Sequence, residues 1–182
     1  ESSTAEEVTT SAGTPDIALA DNDAGQTAAG NVSQGATSHV LATFKLTVTT
    51  AAATLNSVAI ATSGYDADDL DNLKLWYNTS SSFGGSAIST LTDPGVAGTE
   101  TFASLSQELA IGTHYFFITA DVDASATVNH TIQVAAMDTD DLAYAAGNET
   151  GGPTTAGGAQ TGVGVDDMTM ASADGESTTI SS

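Results

Sequence analysis

From residue 39 to residue 48 the chain alternates. Val40, Ala42, Phe44, Leu46 and Val48 are set against Leu41, Thr43, Lys45 and Thr47. A period of two is the pattern of a half-buried β-strand. The same period returns in Val58 and Ile60 of segment 55–62. In segment 73–78 it places Leu73, Leu75 and Tyr77 on one face, with Lys74 and Trp76 on the other. Segment 114–122 sets Phe116, Ile118, Ala120 and Val122 against Tyr115, Phe117, Thr119 and Asp121. Segment 128–136 sets Val128, His130, Ile132 and Val134 inward. A short strand through Ile17 and Leu19 covers 16–20, and 100–105 is a weaker candidate.

Turn-rich gaps such as "SSSFGG" and "TDPGVAG" separate these runs. About seven short strands and no amphipathic helix predict an all-β fold, an antiparallel β-sandwich of immunoglobulin-like or jelly-roll-like type. Segment 103–112 reads equally as a helical turn through Leu105 and Leu109 or as a strand. No internal repeat is present. Residues 1–15 are small and polar and are expected to be flexible. The sandwich is expected over 16–145. Residues 146–182 read as a Gly-rich linker followed by a C-terminal strand and tail. In 162–170 the phase slips between Val163/Val165 and Met168/Met170, as a β-bulge at Asp166–Asp167 would cause.

Charge changes the picture. Net charge is −21, from 23 acids against Lys45 and Lys74 alone. Phosphate would repel such a chain, which argues against nucleic acids and anionic membrane surfaces as partners. Self-repulsion at this density calls for cations. There is no cysteine, hence no disulfide or thiolate site. No apolar run approaches the roughly 20 residues that span a bilayer. A first residue Glu1 and a Thr/Ser/Gly/Ala/Asp-rich, lysine-poor composition predict a mature exported protein, extracellular or at the cell surface.

The acids are bunched. The candidate metal ligands are Asp21 and Asp23; Asp66, Asp68, Asp69 and Asp71; Asp121 and Asp123; and Asp138, Asp140 and Asp141. A further pair is Asp166 and Asp167. Carboxylates two apart in a loop offer hard oxygen ligands to one point, which suits Ca²⁺. None matches an EF-hand, so a solvated acidic loop is the competing reading for each. The "DADDLDN" stretch is the leading candidate, and Asp121 and Asp123 are candidates to join another loop's cluster. His39, His114 and His130 are isolated and read as packed or hydrogen-bonded side chains. No nucleophile elbow is present, and with Trp76 the lone tryptophan, a sugar-cleaving site is poorly supplied with aromatics. The chain does not read as an enzyme. Sequons stand at Asn31, Asn78, Asn129 and Asn148.

"LDNLKLWYNTSSSFGG" followed by "LAIGTHYFFITADVDASATVNHTIQVAA" resembles a sandwich module of large secreted bacterial surface proteins. The resemblance covers roughly 38–136 and implies adhesion, assembly or anchoring, without a catalytic motif. In its layout and terminal tails the chain is also similar to extracellular fibre subunits that donate a strand to the next copy. The expectation is a structural subunit of a filament, tube or surface layer. Its partners would be further copies of itself, with 16–20 or 162–170 as the exchanged strand and Ca²⁺ at the contacts. The alternative is a carbohydrate- or protein-binding module that uses Trp76, Tyr77 and Phe83.

Overall fold

The computed structural model describes residues 13–164. These form thirteen strands and one 3-10 turn, Thr139–Asp141. The strands are β1 Asp16–Ala20, β2 Gly30–Ser33, β3 His39–Thr49, β4 Ala53–Ser63, β5 Leu70–Asn78, β6 Ser86–Thr92 and β7 Thr99–Phe102. They continue with β8 Gln107–Leu109, β9 Gly112–Val122, β10 Thr131–Val134, β11 Leu142–Tyr144, β12 Asn148–Gly151 and β13 Gln160–Val163.

Two sheets pack face to face as a β-sandwich. One has the order β12-β1-β3-β9-β5-β6. The other runs β11-β4-β10-β13-β2, with β7 and β8 pairing β4 on its other side. Most pairs are antiparallel, but β1 with β12 and β13 with β2 are parallel, so both sheets are mixed. The two parallel partners come from the Gly-rich C-terminal segment, which returns late in the chain and enters each sheet at a place no hairpin dictates.

The core follows the alternation. Phe44, Leu46 and Val48 of β3 and Phe116, Ile118 and Ala120 of β9 are fully buried, and the Phe44 and Phe116 rings stack at 4.9 Å. Burying each of the larger of these side chains stabilises by about 1.5–3 kcal/mol. Leu41, which breaks the phase of β3, sits where the β3–β9 register shifts, so that both Leu41 and Ala42 are buried.

Several expectations change. Segment 103–112 is not helical and instead contributes β8. The inward phase over 128–136 holds only from β10 onward. Val128 is exposed, and His130 lies before the strand with a half-buried side chain. The strand expected as a free tail, 16–20, is β1, and it is paired on both sides by β3 and β12 of its own sheet. Residues 160–163 are likewise held, between β10 and β2. The phase slip at Asp166–Asp167 lies outside the described residues.

The segment 146–162 is a structural member and not a linker. It packs because its glycines let backbones touch. A Cβ on Gly157 would stand 2.1 Å from the Leu41 carbonyl oxygen, and one on Gly151, at φ +90°, would stand 2.2 Å from that of Leu19. Gln160 anchors its far end. Its buried amide donates to the carbonyls of Ala28 (2.7 Å) and Gly158 (2.8 Å), and its oxygen meets His39 Nε2 at 3.0 Å.

Candidate functional site: the acidic end and the open sheet edge

The "YDADDLDN" loop joins β4 to β5 at one end of the sandwich. Tyr65 and Leu70 are buried, and they pin the loop at both sides. Between them a turn at Ala67–Asp68 places Asp68 in the left-handed region, φ +70°, which aspartate tolerates better than bulkier residues. That turn folds the Asp69 side chain inward, where it is 3% exposed. One Asp69 oxygen accepts from the Thr127 N–H at 2.7 Å. The other accepts from the Asp66 N–H at 2.8 Å and meets His130 Nδ1 at 2.8 Å. The Asp69 backbone carbonyl accepts from the Asp123 N–H at 3.0 Å. Asp69 therefore ties the β4–β5 loop to the β9–β10 loop. Burial pushes its carboxyl upward, but the His130 contact and the two backbone donors outweigh burial and hold it below the usual carboxylate range. The same contact raises His130 above an ordinary imidazole, against a smaller opposing effect of desolvation.

Asp121, at the end of β9, is similarly committed. It accepts from the Ser38 N–H at 2.8 Å, from Asn72 Nδ2 at 2.9 Å and from the Lys74 ammonium. Asp71 and Asp123 are different. Their carboxyls lie within hydrogen-bonding reach of each other, with Asp121 alongside. Desolvation raises Asp71 first, and the charges of Asp123 and Asp121 add to it. Asp123 is lowered, chiefly by the side-chain and backbone donors of Ser125. As pH falls, Asp71 takes up the proton first.

The structure thus brings Asp66, Asp68, Asp69, Asp71, Asp121 and Asp123 to one end of the sandwich, and it divides them. Asp69 and Asp121 are buried and spent on protein donors. Asp66, Asp68 and Asp71 are exposed and Asp123 is half-buried. The remaining candidates lie elsewhere. Asp21 accepts from the Thr155 N–H at 2.7 Å and the Thr155 hydroxyl at 2.8 Å. Asp23 pairs with Lys45 and accepts from the Tyr115 hydroxyl at 2.6 Å. Asp138 and Asp141 form a reciprocal capping box at the N-terminal side of the 3-10 turn, whose exposed member is Asp140. Among the described residues, no group of three or more His, Asp or Glu side chains converges as a metal cage.

The acidic end abuts an open sheet edge. The Asp93 N–H, just past β6, donates to the Asp71 carbonyl at 2.9 Å, and Asn72 of β5 is paired with Thr92 of β6. Among the described residues, β6 has one sheet neighbour, β5, and forms the outer edge of its sheet. Its sequence, Ser86-Ala-Ile-Ser-Thr-Leu-Thr92, has seven residues, with no charge and no proline. Beside it, Phe83 meets Trp76 at 5.3 Å and Phe117 at 5.5 Å, both edge to face. The Trp76 indole N–H donates to Thr119 Oγ1 at 2.9 Å. Trp76 therefore fastens the outer face of its sheet, and Phe83, 44% exposed, is the most exposed ring of the trio.

The opposite end of the sandwich holds a pair that the sequence reading passed over. Tyr77, near the end of β5, and His114, near the start of β9, both fall on the inward phase. The Tyr77 hydroxyl meets His114 Nδ1 at 2.8 Å, and His114 Nε2 meets the Ala110 carbonyl at 2.7 Å. The signal was present, because Tyr77 and His114 share the phase of Leu75 and Phe116 on neighbouring strands.

No helix of the described residues is long and apolar enough to cross a membrane. No protein-family model matches the chain, and no curated protein is significantly similar to it.

Proposed function

We propose that this protein is a structural subunit of an extracellular assembly, joined to further copies by strand addition at β6. The carrying observation is the edge itself: seven residues, uncharged, free of proline and, among the described residues, unpaired on one side. An unprotected edge offers a row of backbone donors and acceptors to an incoming strand. Lysine, the usual guard of such edges, occurs only twice in the chain, at positions outside β6. A contact between unlike surfaces of successive copies propagates when it does not close, and so builds filaments, tubes or layers.

The exchanged strand expected from residues 16–20 does not suit this role, since β1 is paired on both sides within its own sheet. The acceptor side is β6. The acids beside it, Asp66, Asp68, Asp71, Asp93 and Asp123, would repel the same end of an approaching copy. A divalent cation, Ca²⁺ being the best match to hard carboxylate oxygens, offsets that repulsion at the contact.

The test is the size distribution of purified protein with Ca²⁺ and after EGTA. Growth into large species that EGTA reverses supports the reading. A chain that stays single across millimolar Ca²⁺ argues against it.

A further inference from the structure

The end of the sandwich opposite the acidic loop opens into a cleft of about 500 Å³, lined by Ala52, Ala53, Thr54, Tyr77, Glu108 and Ala110, with His114 and Thr79 completing it. Apart from the Thr54 and Thr79 hydroxyls, which can donate or accept, its polar side chains turn acceptors to the cleft. The Ala110 carbonyl can only accept, so His114 Nε2 carries a hydrogen and donates to it. In the neutral ring Nδ1 is then the acceptor, and it takes the Tyr77 proton. The Tyr77 oxygen is left with lone pairs. Burial raises the Tyr77 phenol above its ordinary value, which keeps that proton in place. Glu108 adds a carboxylate at the rim. Neither lysine of the chain lines the cleft: Lys45 is engaged with Asp23 and Lys74 with Asp121. Small apolar side chains, Ala52, Ala53 and Ala110, make up the rest of the wall.

We propose that this cleft binds a primary alkylammonium group, with its N–H donors on the Tyr77 oxygen and the Glu108 carboxylate and its stem along the alanines. An ammonium supplies three donors and no acceptor, the complement of this lining. An anion would meet Glu108 and a chain of charge −21. A bare metal ion would leave the alanine wall uncovered. The same chemistry is offered by a free aliphatic diamine and by a lysine side chain carried on another molecule.

Isotope-labelled full-length protein is titrated with cadaverine and, separately, with N-acetyl-lysine amide at near-physiological salt, with pentanol as the neutral control. The expected result is saturable amide shifts confined to Thr54, Tyr77, Thr79, Glu108–Ala110 and His114, absent with pentanol. Glu108→Gln, an exposed and conservative change, weakens binding about tenfold or more, as loss of a hydrogen bond between charged groups does. Tyr77→Phe, which keeps the ring, weakens it as well. Tighter binding of the lysine amide than of cadaverine assigns a protein-borne amine; the reverse assigns a free polyamine. Shifts spread evenly over the acidic surface would overturn the proposal. So would equal binding by Glu108→Gln, or equal binding of pentanol.

Discussion

The six-stranded sheet ends in two edges that have little in common. β12, at one side, is four residues long, carries Glu149 and is followed by Pro153. Its neighbours add Asp16 on β1 and the acids of the 3-10 turn. β6, at the other side, is nearly twice as long and carries no charge. Short length, charge and proline are the devices by which native sheets discourage edge pairing. β12 is short and carries a charge inside the strand, whereas β6 is longer and uncharged; each is followed two residues on by a proline, Pro153 and Pro94. In a chain with 23 acids, β6 is an edge strand of seven residues without one. The charge instead gathers just beyond its end, at Asp93 and Asp71. On the proposed reading, that arrangement leaves the edge free for pairing and would make the approach to it depend on cations.

The comparison breaks most directly by exchanging the guards. Ser86→Lys together with Thr90→Lys, both at exposed positions of β6, is expected to abolish Ca²⁺-dependent assembly. Thr150→Lys in β12 is expected to leave it intact, as read by sedimentation velocity. Asp69→Ala comes next. It leaves the Asp66 and Thr127 N–H groups without their acceptor, at about 1–3 kcal/mol each, and a thermal melt should show a loss of about 2–4 kcal/mol. Gly151→Ala forces a Cβ against the Leu19 carbonyl at positive φ and should cost about 1–3 kcal/mol. By loosening β12 from β1 it would also give the sheet a second open edge. A fall in the Ca²⁺ needed for association would show this.

Smaller effects follow from titration. Asp69 is lowered in the fold, so its contribution is present above the unfolded carboxylate value and fades as pH falls through the folded one. His130 is raised, so its contribution is full below the ordinary imidazole value and is lost as pH rises through the raised one. The stability difference between wild type and His130→Ala should therefore peak between about pH 4 and about pH 6.5 and shrink in alkali, as read by melts across pH. Asp71 has the opposite sign for an acid. Raised in the fold, it opposes folding once ionised, so Asp71→Asn should raise the melting temperature slightly at neutral pH and lower the Ca²⁺ requirement for assembly.

The long strands were legible because each carries a full period-two stripe. β3, β4, β5 and β9 stand within a few residues of where alternation puts them. β6 was not legible. With four small hydroxyl residues and an alanine among its seven positions, it lacks the apolar stripe that a half-buried strand shows. The same weakness hid β12 and β13, four residues each; β12 pairs at Gly151 through a backbone approach that only glycine allows. In the acidic loop, the gathering of Asp121 and Asp123 with the "DADDLDN" acids followed from their place at strand ends. The split among those acids did not follow. Asp69 is buried because Thr127, Asp66 and His130 supply donors from two loops, a three-dimensional circumstance that spacing does not encode.

Sedimentation velocity with parallel electron microscopy, on wild type and on Ser86→Lys/Thr90→Lys, tests the central claim most directly. Both proteins are brought to millimolar Ca²⁺ and then treated with EGTA. The account predicts that wild type forms large regular particles that EGTA disperses, while the variant, folded to the same melting temperature, stays a single chain. Wild type that remains single in Ca²⁺, or a variant that assembles equally well, would contradict it.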